Sequence, residues 1–282
     1  MQGITITYNG ITLGDNTNYY ISNLDIGDLP IRQADQLASG RDGGFIFNQN
    51  YGFRRISLSV NIFSSTDAEF FSDIRTLRTA FARTNTPNEL VINYWDGSVR
   101  RIDCFPNFLP DPVHKPGMTD QSSTDIVLVA PYPFFSSSVS DVTNATLYLN
   151  QGLGFDYPFD YPFDYVAGSS TNTLVFNNDG DVPALITIAF NGPAITPTLN
   201  NTSQGTRVQI DTTLSATTVN LSFDPTAGRI IEDQNGTSYE QYFDGNTSFF
   251  FVPLGSNTFI FTADTFDAGA SCNITLTKYY LS

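Results

Sequence analysis

Residues 155–165 read FDYPFDYPFDY, and this stretch separates two halves of the chain that differ in sequence pattern. Aromatic side chains occupy every odd position, and Asp or Pro occupies every even one. Because successive side chains of a strand point to opposite faces, an extended ribbon would carry all six rings on one face. Proline cannot donate to a β-ladder, so an edge piece or a seam against a β-sandwich is predicted. An inter-domain linker and a dedicated binding motif are the alternative interpretations.

The composition favours strands and turns over helices. The chain has 282 residues, of which 14% are aromatic, with 21 Gly and 15 Pro, and it is long enough for one large β domain or two ordinary ones. It contains no apolar run of about 18 residues, so no membrane span is predicted. The start, MQGITITYNG, lacks a basic region followed by an apolar one, so no secretory signal is expected. Cys104 and Cys272 lie far apart, which favours synthesis in a reducing cytosol over a disulfide framework.

Negative charge is concentrated in the second half. The net charge of −15 divides into −4 for residues 1–140, with 14 acids and 10 bases, and −11 for residues 141–282, with 14 acids and 3 bases. Nucleic-acid binding needs a basic footprint, and an anionic membrane surface attracts basic segments. The charge therefore argues against both kinds of partner.

Alternating patterns predict two hairpins near the start of the chain. Residues 2–13 contain Asn9-Gly10, a strong two-residue turn signal. Residues 27–44 are polar and predicted to be irregular. Residues 56–63, ISLSVNIF, place apolar side chains on one face of a strand, and residues 45–47 are predicted to form the first strand of the same hairpin.

One helix is predicted after this strand. Thr66-Asp67-Ala68-Glu69 has the pattern of a capping box. An apolar stripe follows at helical spacing, made by Phe70, Ile74, Leu77 and Phe81. The pattern predicts a single helix that packs on a sheet.

The remainder of the first half is predicted to be β-structure. A turn at Asp96-Gly97 joins strands at 90–95 and 99–104, a loop covers 106–123, and a strand covers 125–130. The first domain is expected to end near residue 140.

The second half is predicted to contain short strands and no helix. Turn residues separate the segments, which is typical of a β-sandwich of jelly-roll or lectin-like build. The predicted strands are 173–176, 184–190, 207–210, 217–223, 228–231, 248–252, 257–262 and 272–280.

Catalytic signals are poor, and no catalytic residue is assigned. A Ser-His-Asp or Cys-His arrangement could use only His114, which lies in a Pro-rich loop without a surrounding motif. No H-E-x-x-H, C-x-x-C, P-loop or dinucleotide-binding motif is present. The sequence therefore predicts no enzyme activity, no cofactor and no metal site.

Carboxylates and the single tryptophan leave alternatives open. Asp179 with Asp181, or Glu232 with Asp233, could attract calcium, although solvated turn acids explain these pairs more simply. A carboxylate pair could also support glycan hydrolysis, and the second half could bind carbohydrate as a lectin-like domain. Trp95 lies in the first half, and a core or interface position is favoured for it over a sugar platform.

The order of several motifs resembles the distal tail proteins of long-tailed bacteriophages. The resemblance covers nearly the whole chain; each motif is weak alone, and their order is moderately specific. The motifs are APYPFF at 130–135, the GFDYPF seam, LVFNNDGDVPALITIAFNGP at 174–193, PTLNNTSQGTRVQI at 197–210, LSFDPTAGRIIEDQNGTSYEQYF at 221–243 and FFFVPLGSNTFIF at 249–261. The threefold FDY repeat and the acidic second half are departures that leave the host open.

The resemblance implies a mainly β fold with three parts. Residues 1–140 would form a β-sandwich or barrel with one helix that assembles into a hexameric ring around the tail channel. Residues 141–165 would be the aromatic linker, and residues 166–282 a galectin-like β-sandwich. For the ring contacts, the hairpin at 45–63, whose edges suit pairing between subunits, and the loop at 27–44 are predicted.

The same resemblance implies a location and a set of partners. The protein would be a virion component at the tail tip, made in the host cytoplasm. Its partners would be five further copies of itself, the tail tube protein, a tail-associated protein and receptor-binding proteins, with no specific nucleic-acid binding and no membrane insertion. A lectin-like carbohydrate-binding protein remains the alternative.

Overall fold

The computed structural model describes residues 3–37, 42, 44–114, 121–137, 142–149, 172–224, 227–266 and 269–281. The chain forms two compact units, one made by Met1–Ser138 with Leu281–Ser282 and the other by Val139–Tyr280. The architecture is mainly β with one α-helix in the described ranges, as the sequence predicts. The aromatic ribbon predicted at 155–165 lies outside the described residues.

The first unit contains eleven of the described strands and the α-helix. They are β1 (Thr5–Tyr8), β2 (Ile11–Gly14), β3 (Tyr19–Asp25), β4 (Ile31–Leu37), β5 (Gly44–Tyr51), β6 (Arg54–Phe63), α1 (Asp67–Ala80), β7 (Asn88–Asn93), β8 (Val99–Pro106), β9 (Val113–His114), β10 (Gln121–Ala130) and β11 (Phe135–Ser137).

Antiparallel pairs build two sheets around the core of the first unit. One sheet has the order β2-β1-β7-β8-β11. In the other, β6 pairs with β3 on one side and with β10 on the other. The predicted alternation of β6 is confirmed, because Ile56, Leu58, Val60 and Ile62 are all buried in this core.

The predicted turn at Asn9-Gly10 is confirmed and also contacts the helix. Asn9 and Gly10 have φ angles of 44° and 82°, the left-handed values that a two-residue hairpin turn of this type requires. The Asn9 side chain donates a hydrogen bond to the Ala80 carbonyl, at 2.9 Å. The turn thus satisfies one of the free carbonyls at the end of α1.

The helix begins and packs as predicted. The Thr66 hydroxyl accepts a hydrogen bond from the Glu69 amide at 3.3 Å, which caps the helix start. Phe70, Leu77 and the residue after the helix, Phe81, are buried, and Ile74 is half-buried against the same core. The Phe81 ring stacks on Tyr8 with 4.8 Å between centroids, so the helix is fixed to β1.

Three predictions in the first unit are wrong. Residues 27–44 are not irregular throughout, because β4 forms there and pairs with β5 from Ile31↔Tyr51 to Leu37↔Gly44. The hairpin predicted at 45–63 therefore does not exist: β5 pairs with β4, and β6 pairs elsewhere. Further along, the predicted loop at 106–123 contains β9, and β10 begins at Gln121.

The second unit contains the remaining described strands and two short 3₁₀ turns. They are β12 (Val142–Tyr148), β13 (Thr173–Asn178), β14 (Val182–Asn191), β15 (Ala194–Ile195), β16 (Thr198–Asn201), β17 (Thr206–Ile210), β18 (Thr213–Leu214), β19 (Thr218–Asp224), β20 (Gly228–Asp233), the 3₁₀ turn Glu240–Tyr242, β21 (Phe243–Gly245), the 3₁₀ turn Thr247–Phe250, β22 (Phe251–Val252), β23 (Gly255–Thr262), β24 (Thr265–Phe266) and β25 (Ser271–Tyr280).

Two sheets of the second unit pack face to face. One contains β12, β25, β14, β19 and β20, with β22 also paired to β14. The other has the order β13-β23-β16-β17-β21. Phe190 of β14 stacks on Phe261 of β23 with 5.8 Å between ring centroids, and both side chains are fully buried. This contact joins the two layers of a β-sandwich.

The second unit differs from the sequence prediction in several places, and the strands β15, β16, β18, β21 and β24 are not among the predicted ones. Residues 142–148, inside the expected linker, form β12 and pair with β25. The strand predicted at 248–252 is mostly a 3₁₀ turn, which Asn246 caps by accepting a hydrogen bond from the Ser248 amide. Neighbouring side chains of a strand point to opposite faces, whereas this turn lets both Phe249 and Phe250 enter the core.

Two neighbouring phenylalanines of α1 provide a test of this packing. We expect Phe70→Ala to destabilise the first unit by about 3–5 kcal/mol, because it leaves a cavity in a fully buried site. Phe71 is 67% exposed, so Phe71→Ala should cost about 1 kcal/mol or less. Urea unfolding followed by circular dichroism measures both, and equal losses for the two variants would contradict the assigned helix orientation.

Candidate interaction surfaces

The two cysteines are not available as nucleophiles. Cys104 and Cys272 are both fully buried free thiols. Burial raises the pKa of each thiol above its usual range, so the thiolate is disfavoured. Only the backbone of His114 is described, where β9 pairs with β10 through Ser122. Within the described part of the chain, neither cysteine therefore offers an exposed nucleophile.

One carboxylate of each pair that could have attracted calcium has another partner. Asp179 lies 2.5 Å from the Lys278 ammonium, and this contact lowers the pKa of the Asp179 carboxyl. One oxygen of Asp233 accepts hydrogen bonds from the amides of Thr237 and Asn235, each at 2.8 Å, and these bonds lower the pKa of Asp233. Among the described residues, no group of three or more His, Cys, Asp or Glu side chains could hold a metal ion.

The thiol environment predicts resistance to alkylation. An ordinary thiol with a pKa of about 8.5 is half ionised at that pH. Because both thiols are buried and their pKa values are raised, native protein at pH 8.5 should react with a maleimide far more slowly than protein in urea. Mass spectrometry measures the number of labels, and rapid labelling of native protein would show that a cysteine is accessible.

The Asp233 turn predicts a pH-dependent contribution to stability. Its lowered pKa means that the carboxylate stabilises the second unit above the unfolded-state pKa of about 3.9, and that this contribution is lost as pH falls through the folded value. We expect Asp233→Asn to lower the melting temperature at pH 7 and to differ less from the parent protein below about pH 4. Exposed Glu232, its neighbour, provides the control Glu232→Gln, which should behave like the parent; a pH-independent loss for Asp233→Asn would contradict the assigned turn.

The hairpin of β4 and β5 carries exposed apolar side chains. We call residues 31–37 and 44–51 the arm; its strands form a separate two-stranded sheet. A bulge midway along the paired strands leaves Phe47 without an opposite residue. The exposed apolar side chains are Ile31, Phe45, Ile46, Phe47 and Tyr51. Such a group on an otherwise polar hairpin is typical of an interaction surface.

The base of the arm is fixed by close backbone contacts. Gly27 has a φ angle of 71°, and a Cβ placed there would lie 1.8 Å from the Arg55 carbonyl oxygen, so only glycine fits. The Gly52 amide donates a 2.7 Å hydrogen bond to the Pro30 carbonyl. The Tyr51 ring meets Phe134 edge to face at 5.4 Å. These contacts set the direction in which the arm leaves the first unit.

The outward side of α1 forms a second exposed surface. Phe71, Arg75 and Arg78 follow one another at helical spacing, and exposed Leu109 lies beside them. We call these four residues the helix patch. They line a shallow depression of about 490 Å³ together with Ile74, Thr79 and Ala82. The patch combines cationic and apolar groups, whereas the inward stripe of the same helix is apolar only.

A buried arginine lies in the first unit. Arg54 is 2% exposed, its guanidinium stacks over Phe135 at 4.5 Å, and Nη2 donates to the Leu281 carbonyl at 2.5 Å. Nε and Nη1 have no hydrogen-bond partner in the described part of the chain. Desolvation lowers the pKa of this arginine. Arg54 is the first residue of β6, and its position in the sequence does not indicate that its side chain is buried.

Trp95 is not a core residue. It is 77% exposed beside the β7–β8 turn, so the core interpretation is wrong, whereas an interface position remains a prediction. No helix among the described residues is long and apolar enough to cross a membrane.

These two units define a two-part, mainly β protein with the fold of a phage tail hub protein. The chain is similar to the crystal structure of the SPP1 Dit protein (gp 19.1), described as a paradigm of the hub adsorption apparatus in phages that infect Gram-positive bacteria. The TM-score is 0.66, the sequences are 14% identical, and the match covers 99% of each chain. The predicted resemblance to distal tail proteins is thus confirmed in the fold.

Two further solved structures match with lower scores. They are the phage P2 baseplate in its activated conformation with Ca, with a TM-score of 0.49, and the same baseplate with Sr, with a TM-score of 0.45. Each is 10% identical and covers 98% of this chain and 97% of the other. No protein-family description matches the sequence, and a search of curated proteins finds no relative.

Neither the arm nor the helix patch was predicted from the sequence. The arm was divided between an irregular segment and the wrong hairpin, although the run FIF at 45–47 marked one of its strands. The helix patch was not predicted, because the helical pattern was used only to locate the buried stripe. The signal was present in Phe71 and Arg75, which lie one position after Phe70 and Ile74 of the buried stripe and so face outward.

Proposed function

We propose that this protein is a structural component of a phage tail tip, where it forms a ring that connects the tail tube to the adsorption apparatus. The observation that carries the proposal is the similarity of fold to the SPP1 Dit protein over 99% of both chains. A match that includes both units supports the complete two-part organisation. Six copies per ring is the number we propose, with the tail tube protein, a tail-associated protein and receptor-binding proteins as neighbours in the virion.

In this proposal the first unit forms the ring. A ring of identical copies requires an interface between two different surfaces of each copy. The arm provides one of them, because an isolated two-stranded hairpin is only marginally stable in water and gains stability when another chain covers it. Its exposed rings and open strand edges are suited to such a contact.

The second unit would project from the ring as a galectin-like domain and support the proteins that bind the host. Among the described residues of its sandwich, no feature favours sugar binding specifically, and the single tryptophan belongs to the first unit. The charge of residues 141–282, −11, supports contacts with basic or neutral proteins over contacts with DNA. A structural role without catalysis agrees with the two buried thiols and the partnered carboxylates.

The proposed ring predicts a specific particle mass. The purified protein should give particles of about six times the 31.0 kDa chain mass, or twice that for two stacked rings, by light scattering, and rings by negative-stain microscopy. The double variant Ile46→Asp, Phe47→Asp should shift the mass toward the single chain, because carboxylates in a covered apolar contact are strongly unfavourable.

A matched control comes from the second unit. Leu254 is 54% exposed, close to the 58% of Ile46, and lies outside the arm. Leu254→Asp should therefore keep the particle mass of the parent. Rings that persist in the arm variant would contradict the role of the arm, and a single-chain mass for the parent protein would contradict the ring.

A further inference from the structure

The helix patch is a locally basic surface on an acidic protein. From Ile74 to Asn88 the chain carries three arginines, Arg75, Arg78 and Arg83, and no Asp or Glu, whereas the whole chain has a net charge of −15. All three guanidinium groups are exposed. The ion pairs formed by other arginines of the described residues, such as Arg101 with Glu89, do not include them. Their charge is therefore available to another segment.

The apolar part of the patch lies next to these charges. Phe71 and Leu109 are exposed, and both line the depression together with Ile74 and Ala82. An arginine fork binds carboxylates through two parallel hydrogen bonds and also stacks on aromatic rings. The chemistry that fits is a peptide in which carboxylates alternate with aromatic side chains.

One segment of this chain has that composition. Residues 155–165, FDYPFDYPFDY, contain three aspartates and six aromatic rings, and the tripeptide Phe-Asp-Tyr occurs three times in the chain, always in this stretch. It contains no basic residue, so it is complementary in charge to the helix patch. Its repeat also provides several equivalent Asp–aromatic units for one patch.

We propose that the helix patch binds residues 155–165 of a second copy of this chain. The carboxylates of the segment pair with Arg75 and Arg78, and its rings pack against Phe71 and Leu109. The inference extends the proposed ring, since it adds a contact between copies that does not involve the arm. It depends on the proposed function only in requiring two copies to meet.

Disulfide trapping tests this contact directly in the full-length protein. One variant carries Thr79→Cys, at the edge of the depression, and a second carries Pro158→Cys, which keeps all aspartates and rings. Cys104 and Cys272 are buried, so the introduced thiols are the reactive ones. Mild oxidation of the mixture should give a species of about twice the 31.0 kDa chain mass in denaturing electrophoresis, which either variant alone does not give.

Charge reversal identifies the groups that pair. Adding Arg75→Glu and Arg78→Glu to the Thr79→Cys copy should lower the yield of trapped species about fivefold, as expected for a pair of exposed ionic contacts. Arg55→Glu is the matched control, because Arg55 is an exposed arginine outside the patch, and it should leave the yield unchanged. Adding Asp156→Lys and Asp160→Lys to the Pro158→Cys copy should restore the yield with the reversed patch.

The outcomes separate this inference from the proposed function. If the cross-link forms only within a chain that carries both cysteines, the segment binds its own chain and the proposal is overturned. The proposal is also overturned if Arg55→Glu lowers the yield of trapped species as much as the Arg75→Glu, Arg78→Glu pair does. If the particles have the mass of a ring but no cross-linked species forms, the proposed hub function stands and this contact is rejected. If the cross-linked species forms but the particles contain only two copies of the chain, the contact is supported and the ring is rejected.

Discussion

The first unit depends on the pairing of β6 with a strand on each side. Its inward side chains, Ile56 to Ile62 at alternate positions, are all buried, and its backbone is hydrogen-bonded to both β3 and β10. A shift of one residue would turn every one of these side chains to the opposite face. The helix and Gly27, which precedes the arm, contact this strand directly, and the Asn9-Gly10 turn contacts the end of the helix.

Local signals explain what could be predicted from the sequence. The alternation of β6, the Asn9-Gly10 turn and the Thr66 cap each act over a few residues, so their physical causes are visible in the chain itself. The pairing of β5 with β4 was missed because the segment 27–44 is polar, and strand pairing depends on a partner rather than on periodicity. The 3₁₀ turn at 247–250 was missed because Phe249 and Phe250 resemble a strand until Asn246 is seen to cap the turn.

The candidate surfaces were harder to predict than the fold for a related reason. A sequence shows that a residue is apolar, but whether it is buried depends on elements far away in the chain. Phe70 and Phe71 are adjacent and identical in type, yet one lies in the core and the other on the surface. Arg54 gives the opposite case, a charged residue that is covered on all sides and stacked on Phe135. Only the three-dimensional arrangement shows which of these side chains are exposed.

The open edges of the arm also affect the protein before it is assembled. Both strands of the arm have one side without a hydrogen-bonded neighbour strand in the described part of the chain, and an unpaired edge can accept any extended polypeptide. Arg32 and Asp35 on β4 place charges among the exposed apolar residues, which disfavours indiscriminate stacking of identical hairpins. A newly made copy therefore exposes unpaired strand edges and apolar side chains on its arm. Its solubility in the cell depends on how quickly other chains cover the arm.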